Sequence, residues 1–415
     1  MRTILLFLFL SVVSVPSAEA QISLQAYRDS VYLASTEMMN AAENIEKASS
    51  AVSKQRTEFF PSLSADASFS NSFRRDGDNK LWGFSVEPQL SQTIYAGGGV
   101  RSAVRRARSD YQVARLDAQA IRLLQRYEAD YAYWQVSATE LYLAATERYV
   151  EIIRSLYRVV QERYQEGYVA KSDVLQVEAR LSDAEYSKIA VRNNYERALH
   201  LFNNLLGVHE PSAVVLSESI TDTIPMPRRV GFSEIVERRP DVKAAEWSVR
   251  AAEYGVTMAR AEYNPRLYAG VSGSWQTFSP NSSGRTYWDG AVVVGLNVPI
   301  FHFGARKHSV AEAKADARIS YNLWEQVRDD IEQEEADGWS ALSSSYSQML
   351  SSLKNLDIAS ENLSISTYSY QEGQATVLDV LQAQISWIQI YTNAITARFN
   401  YAVAVSAYMR ITAAD

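Results

Sequence analysis

The chain has 415 residues, 47% of them hydrophobic, 21% charged and 11% aromatic, with no cysteine and a formal net charge of -7. The absence of cysteine excludes disulfides, thiolate metal sites and cysteine nucleophiles, and the mildly acidic balance argues against a nucleic-acid surface. The charged fraction is too high for a helical membrane protein and the apolar fraction too high for a disordered chain. A membrane β-barrel stays open, because its apolar surface alternates along each strand.

Residues 1–20 read as a secretory signal. Arg2 precedes an apolar-rich stretch from Ile4 to Val15, followed by Pro16, Ser17 and the small-x-small pattern Ala18-Glu19-Ala20. Cleavage there starts the mature chain at Gln21, which offers no thiol for a lipid and sends the protein out of the cytoplasm.

A half-length helix is expected next, then a strand pair at about 61–73 and 83–95. Leu63, Ala65, Ala67, Phe69 and Phe73 alternate with Ser62, Ser64, Asp66, Ser68, Ser70 and Ser72. Phe84, Val86, Leu90 and Ile94 alternate likewise with Ser85, Glu87, Gln89, Ser91 and Thr93. Each run has the length of a tilted outer-membrane strand, and a polar loop at 74–80 joins the two as a hairpin.

Prolines and glycines set the limits of the next elements. No proline lies between 89 and 210 or between 300 and 415, and the only glycine between Gly99 and Gly207 is Gly167. This predicts a long helix over 100–166, a glycine turn, and a return helix over 170–206. The long helix reaches about 100 Å at about 1.5 Å per residue. Val100, Val104, Ala107, Tyr111, Ala114, Ala118 and Ile121 have coiled-coil spacing, with small residues that allow close approach.

The segment 208–238, with Pro211, Pro225 and Pro227, links this unit to a second copy of it over 239–415. The copy predicts strands at about 265–278 and 286–300, a long helix over 305–371 and a return helix over 375–412. Tyr164-Gln165-Glu166-Gly167 recurs at Tyr370-Gln371-Glu372-Gly373, and Asp173-Val174-Leu175-Gln176 at Asp379-Val380-Leu381-Gln382. Chance does not hold one register over that span. Four strands cannot close a barrel, and bacterial barrels need eight or more in even number, so several chains must each contribute four.

Chemistry-bearing motifs are missing. The four histidines His200, His209, His302 and His308 form no metal-ligand spacing, and no phosphate-loop, dinucleotide or nucleophile-elbow pattern occurs. Neither an enzyme nor a cofactor is expected. Arg101, Arg105, Arg106 and Arg108, echoed by Arg306, Lys307 and Lys314, crowd the starts of the long helices, where the helix dipole disfavours them. Solvation accounts for them; attraction to anionic lipid or peptidoglycan is the alternative. The acidic run from Asp329 to Asp337 reads as a solvated helix face.

The signal, the tandem repeat, the two YQEG turns with DVLQ after each, Glu237-Arg238-Arg239-Pro240-Asp241-Val242 and Asn203-Asn204-Leu205-Leu206-Gly207 together resemble TolC-like outer-membrane efflux proteins. The resemblance implies a mainly α protomer with membrane β-strands. Three copies would close a 12-stranded outer-membrane β-barrel on an α-helical periplasmic barrel, belted midway by a mixed domain that 208–238 fits. Because the chain stops at Asp415, the C-terminal share of that belt is expected to be minimal.

The same resemblance implies an exit duct for efflux or type I secretion in the outer membrane of a Gram-negative bacterium. A periplasmic adaptor and a proton-driven or ATP-driven inner-membrane pump would feed it. Tyr164, Gly167, Tyr168, Val169, Tyr370, Gly373, Gln374 and Ala375 would dock the adaptor. Asp379, Asp173, Tyr370 and Gln382 would form the periplasmic gate, although Ala375 and Gln382 stand where relatives carry an arginine and a second carboxylate. Helix capping by itself explains Asp173 and Asp379. Trp82, Tyr95, Trp275, Tyr287, Trp288, Phe301 and Phe303 read as membrane-interface aromatics at the strand ends. The competing assignment is a periplasmic coiled-coil scaffold without a pore, which has no use for four membrane-length strands.

Overall fold

The computed structural model describes residues 21–74, 81–208, 214–276 and 286–414. The signal at 1–20, most of both hairpin loops, Pro211 and the terminal Asp415 lie outside the described residues. In chain order the elements are α1 (Leu24–Ala34), α2 (Thr36–Thr57), β1 (Ser62–Asn71), β2 (Trp82–Ala96), α3 (Gly99–Gln165) and α4 (Lys171–Leu205). The second half adds α5 (Phe232–Arg238), α6 (Pro240–Ala261), β3 (Arg266–Gln276), β4 (Tyr287–Asn297), α7 (Ala305–Gln371) and α8 (Val377–Ile411).

The duplication is visible in the backbone. Helices α3 and α7 have 67 residues each, and α4 and α8 have 35 each. Among the described residues, those with positive φ fall into pairs 206 apart: Gly97 with Phe303, Gly98 with Gly304, Gly167 with Gly373, and Gly207 with Ala413. At both hairpin turns the glycine closes a Schellman cap. The amide of Tyr168 donates to Arg163 O at 2.8 Å and that of Gly167 to Tyr164 O at 3.0 Å. Gln374 to Ser369 (2.8 Å) and Gly373 to Tyr370 (3.1 Å) repeat the pattern.

The ends of α4 and α8 use the same cap, but at the left-handed position the first has Gly207 (φ 71) and the second Ala413 (φ 47). A Cβ on Gly207 would meet only Ala34 Cβ, at an ordinary 3.9 Å, so conformation alone separates the two sites. Gly207→Ala should lower stability by about 1 kcal/mol, whereas Ala413→Gly should raise it by less, because glycine also loosens the unfolded chain. Thermal melts of the detergent-solubilised protein check the signs; a stabilising Gly207→Ala would refute the strain.

Compactness does not track the repeat. One unit comprises Met1–Ser35, Leu123–Arg229 and Glu335–Asp415; the other comprises Thr36–Arg122 and Val230–Glu334. Each therefore combines corresponding parts of both copies, as expected when a helix of about 100 Å outruns any single core.

In the first unit the core gathers Tyr27, Tyr133 and Phe202, with the Tyr27 and Phe202 rings stacked at 3.9 Å. Tyr27 Oη donates to Phe202 O at 3.0 Å. The connecting segment is tied down by polar groups that would be costly to bury unpaired. Tyr133 Oη donates to Glu218 Oε2 at 2.6 Å, Tyr401 Oη to Ile224 O at 3.1 Å, and Ile22 bridges Leu216. Arg28 grips Asp130 through both carboxylate oxygens at 2.5 and 2.7 Å, where Asp130 is 1% exposed.

Part of the acidic run departs from the expected solvated face. Glu335 is buried, takes both Arg229 nitrogens at 3.0 and 2.9 Å and accepts from Tyr408 Oη at 3.2 Å. The Arg229 guanidinium holds its carboxyl below the usual range. In the second unit, Arg239 Nε and Nη2 reach Asp241 at 3.0 and 2.6 Å, and its Nη1 binds Glu334. Pro240 opens α6, and Val242 joins Val230, Ile235 and Ile331 in a small core.

The same unit carries the sheet, ordered β1-β2-β3-β4 and antiparallel throughout. Strand β4 ends at Asn297, short of the expected 300, because Pro299 has no amide to give the ladder. Tyr268 lies so close to Gly295 that a Cβ there would sit 2.2 Å from its ring.

Candidate functional site

Two regions concentrate the residues singled out from sequence: the helix-hairpin turns and the sheet. At the turns, Tyr164, Gly167, Tyr168, Gly373 and Gln374 are exposed, and Tyr168 is 78% exposed. Val169 and Ala375 instead pack on a core that includes Val160, Val177 and Val380, and Tyr370 is only 4% exposed. Those three side chains are thus committed to packing, which leaves the other five as open surface.

The buried Tyr370 is held by a residue the sequence did not single out. Arg163, in the last turn of α3, lies 4.6 Å over the Tyr370 ring. It also donates to Tyr370 O at 3.2 Å and Gln371 O at 3.0 Å, so it caps the end of α7. Tyr370 Oη has no hydrogen-bond partner among the described residues. Burial pushes its phenol up; the Arg163 charge opposes the rise and Asp173 adds to it. Only the contact between distant segments reveals Arg163, since an arginine near a helix C-terminus is common on dipole grounds alone.

The two matched aspartates behave differently. Asp379 Oδ2 accepts from Thr376 N at 2.8 Å and Thr376 Oγ1 at 2.7 Å, while Asp379 N donates to Thr376 Oγ1 at 3.3 Å. This capping box starts α8. The hydrogen bonds from Thr376 hold the exposed Asp379 carboxyl below the usual carboxylate range. Asp173 has no such partner at the start of α4, because Ala170 stands where Thr376 does in the second copy. Gln382, one turn after Asp379, is also exposed.

The sheet has two chemically opposite faces. Register places Leu63, Phe69, Phe84, Leu90, Val271, Val292, Val294 and Leu296 on one face, with many of them widely exposed. The other presents Ser64, Asp66, Ser68, Ser85, Glu87, Gln89 and Ser272. Strands β1 and β4 each have one neighbour, so among the described residues both outer edges are unpaired.

Aromatics mark both ends. Trp82, Trp275 and Trp288 lie at the hairpin end, with Trp275 and Trp288 opposite each other and their rings 6.3 Å apart. Tyr95, Phe301 and Phe303 lie at the helix end. Tyr287 pairs with Gln276 at the hairpin end; its side chain lies outside the described residues. From Trp82 to Tyr95 the strand runs about 43 Å, equivalent at a 45° tilt to about the 30 Å of a bilayer's hydrocarbon core.

No helix is long and apolar enough to cross a membrane, and no cluster of three or more His, Asp or Glu could hold a metal, among the described residues.

An amphipathic sheet joined to paired helical hairpins defines the class of outer-membrane channel protomers. The outer membrane efflux protein family matches residues 19–208 and 232–414, and the chain belongs to it. It is 24% identical to Protein CyaE of Bordetella pertussis, covering 83% of this chain and 74% of that one. It is 23% identical to Outer membrane efflux protein BepC of Brucella suis, covering 79% and 72%. Among solved structures, the open state of the Neisseria gonorrhoeae MtrE outer membrane channel superposes with a TM-score of 0.82 at 20% identity, covering 94% of this chain and 88% of that one. The family and the fold are those of transport channels.

Proposed function

We propose that this protein is the outer-membrane exit duct of a tripartite efflux or type I secretion system. Three copies join β1 of one protomer to β4 of the next, closing twelve strands with the apolar face toward lipid and the serine-rich face toward the lumen. The carrying observation is the four-stranded sheet, with an exposed apolar face and two unpaired edges. In lipid those edges have no water to satisfy them, so closure with further copies is the available solution.

In this assignment the helices line a periplasmic conduit, and the segment 208–238 contributes to a belt around it. The exposed turn residues Tyr164, Gly167, Tyr168, Gly373 and Gln374 meet a periplasmic adaptor, and an inner-membrane pump supplies the energy. Transport through the duct is passive and no catalytic step enters. Asp379 from each protomer places three carboxylates around the axis, with Gln382 and Asp173 nearby and Tyr370 fixing the packing beneath them. Such a ring favours cations and repels anionic solutes.

Planar-bilayer recording tests both levels. The purified protein is expected to open discrete, cation-selective pores, and Asp379→Asn to reduce that selectivity several-fold while pores persist. Because the Thr376 hydrogen bonds hold the Asp379 carboxyl below its ordinary value, the charge is lost only on strong acidification. Selectivity should therefore stay flat from pH 8 to about pH 5. Unchanged selectivity in Asp379→Asn would remove the ring; absence of pores would remove the duct.

A further inference from the structure

The duplication supplies a template for the junction between protomers. Within the chain, the second strand of the first copy, β2, pairs with the first strand of the second copy, β3. On the proposed barrel β4 meets β1 of the next protomer, which is the same junction one step further round. Residues of β2 and its corner recur 206 positions on, as Leu90 at Leu296 and Gly98 at Gly304. Those of β3 match residues 204 positions back, as Leu267 does Leu63 and Pro265 does Pro61. The pairs Leu90 with Val271, Ser91 with Gly270 and Tyr95 with Leu267 therefore predict Leu296 against Ala67, Asn297 against Asp66 and Phe301 against Leu63 across the seam. Apolar meets apolar and polar meets polar, which a slip of one residue would undo.

The corner after the strand departs from the template. Within the chain Gly97 has left-handed backbone (φ 60), Asn264 donates to its carbonyl at 3.2 Å, and a Cβ on Gly97 would sit 2.4 Å from Asn264 Cβ. The matching residues at the seam are Phe303 and Phe60. Phe303 keeps the left-handed conformation (φ 47), where a bulky residue is strained. Its ring meets Phe301 edge-on at 4.7 Å yet Phe303 is 90% exposed, and Phe60 is 68% exposed. Carbon atoms do not approach to 2.4 Å, so the seam must stand wider here than the internal junction, with two rings in place of one hydrogen bond. Resting on the proposed closure of β4 on β1, we infer that Phe303 and Phe60 of the partner subunit form an aromatic clasp at the root of each seam. The strained corner aims Phe303 at its neighbour.

Because the chain has no cysteine, introduced pairs report the seam without background. Phe60→Cys with Phe303→Cys, oxidised in the membrane, should give covalent dimers and trimers on non-reducing gels, since a disulfide needs a Cβ separation of about 3.8 Å, that of an ordinary contact. Phe69→Cys with Phe303→Cys, whose first member lies towards the hairpin end, should not. A residue swap gives a second readout. Phe303→Gly and Phe60→Asn should each lower the temperature at which the detergent-solubilised oligomer dissociates by roughly 5 to 10 °C, although the first relieves strain within the protomer. The two together recreate the corner of Gly97 and Asn264 across the seam and should recover most of that loss. Oligomers that never cross-link through the first pair, or link equally through the second, overturn the clasp. So does an additive loss in the double variant, which two rings facing lipid or lumen separately would show. A wild type that forms no oligomer refutes the barrel closure itself, whereas oligomers with additive losses refute only the clasp.

Discussion

Arg28→Met should lower the unfolding free energy by about 3 to 5 kcal/mol, because it leaves the Asp130 carboxylate buried without its partner. Asp130 is 1% exposed and receives two nitrogens of Arg28, which joins α1 to α3. A charge in that position gains little from water, so most of its solvation must come from the guanidinium. Replacing both groups, as Arg28→Met with Asp130→Leu, should recover most of the loss, since a buried pair and an apolar pair of similar volume are often close in stability. Denaturant unfolding in detergent, monitored by tryptophan fluorescence, gives both values. A loss under about 1 kcal/mol in the single variant would mean that water or another cation compensates Asp130.

Val292→Arg should block assembly where Val293→Arg does not. The two are neighbours in β4 on opposite faces of the sheet, with Val292 on the apolar face beside Val271 and Val293 on the polar face beside Gly270. On the proposed barrel an arginine at 292 faces hydrocarbon and costs about 2 to 4 kcal/mol near the midplane. The cost falls on every protomer. An arginine at 293 faces the aqueous lumen and should leave the oligomer intact. Heat-modifiable migration on gels and membrane fractionation report the outcome; equal behaviour of the two variants would show that neither face meets lipid.

The long helices are legible in the sequence because their limits are set by local chemistry. Gly167 and Gly373 end them with left-handed caps, and nothing inside 100–166 or 305–371 interrupts the intrahelical ladder except Gly338, which is tolerated within α7. The strands are legible from their period of two, as Val292 and Leu296 on one face show. The break between α1 and α2 carries only a weak local signal, Ser35 in extended conformation (φ -67, ψ 118) before Thr36 with Glu37 in the first turn, and neither glycine nor proline marks it. The short helix α5 likewise lies within the linker segment, where seven residues are too few for a periodic signal. The contacts of Arg163 with Tyr370, Arg28 with Asp130 and Tyr133 with Glu218 join segments distant in sequence, so no local pattern encodes them.

The unpaired edges of β1 and β4 also bear on biogenesis. A newly exported chain that folds alone carries two open templates for strand addition, a hazard in any crowded compartment. Asp66 stands directly opposite Glu87, two like charges across one ladder, so the pairing of β1 with β2 itself carries a local penalty. On the proposed trimeric barrel, productive maturation depends on sibling subunits meeting before strangers do, which makes the rate of synthesis and the supply of periplasmic holdases part of what decides the yield of finished channels.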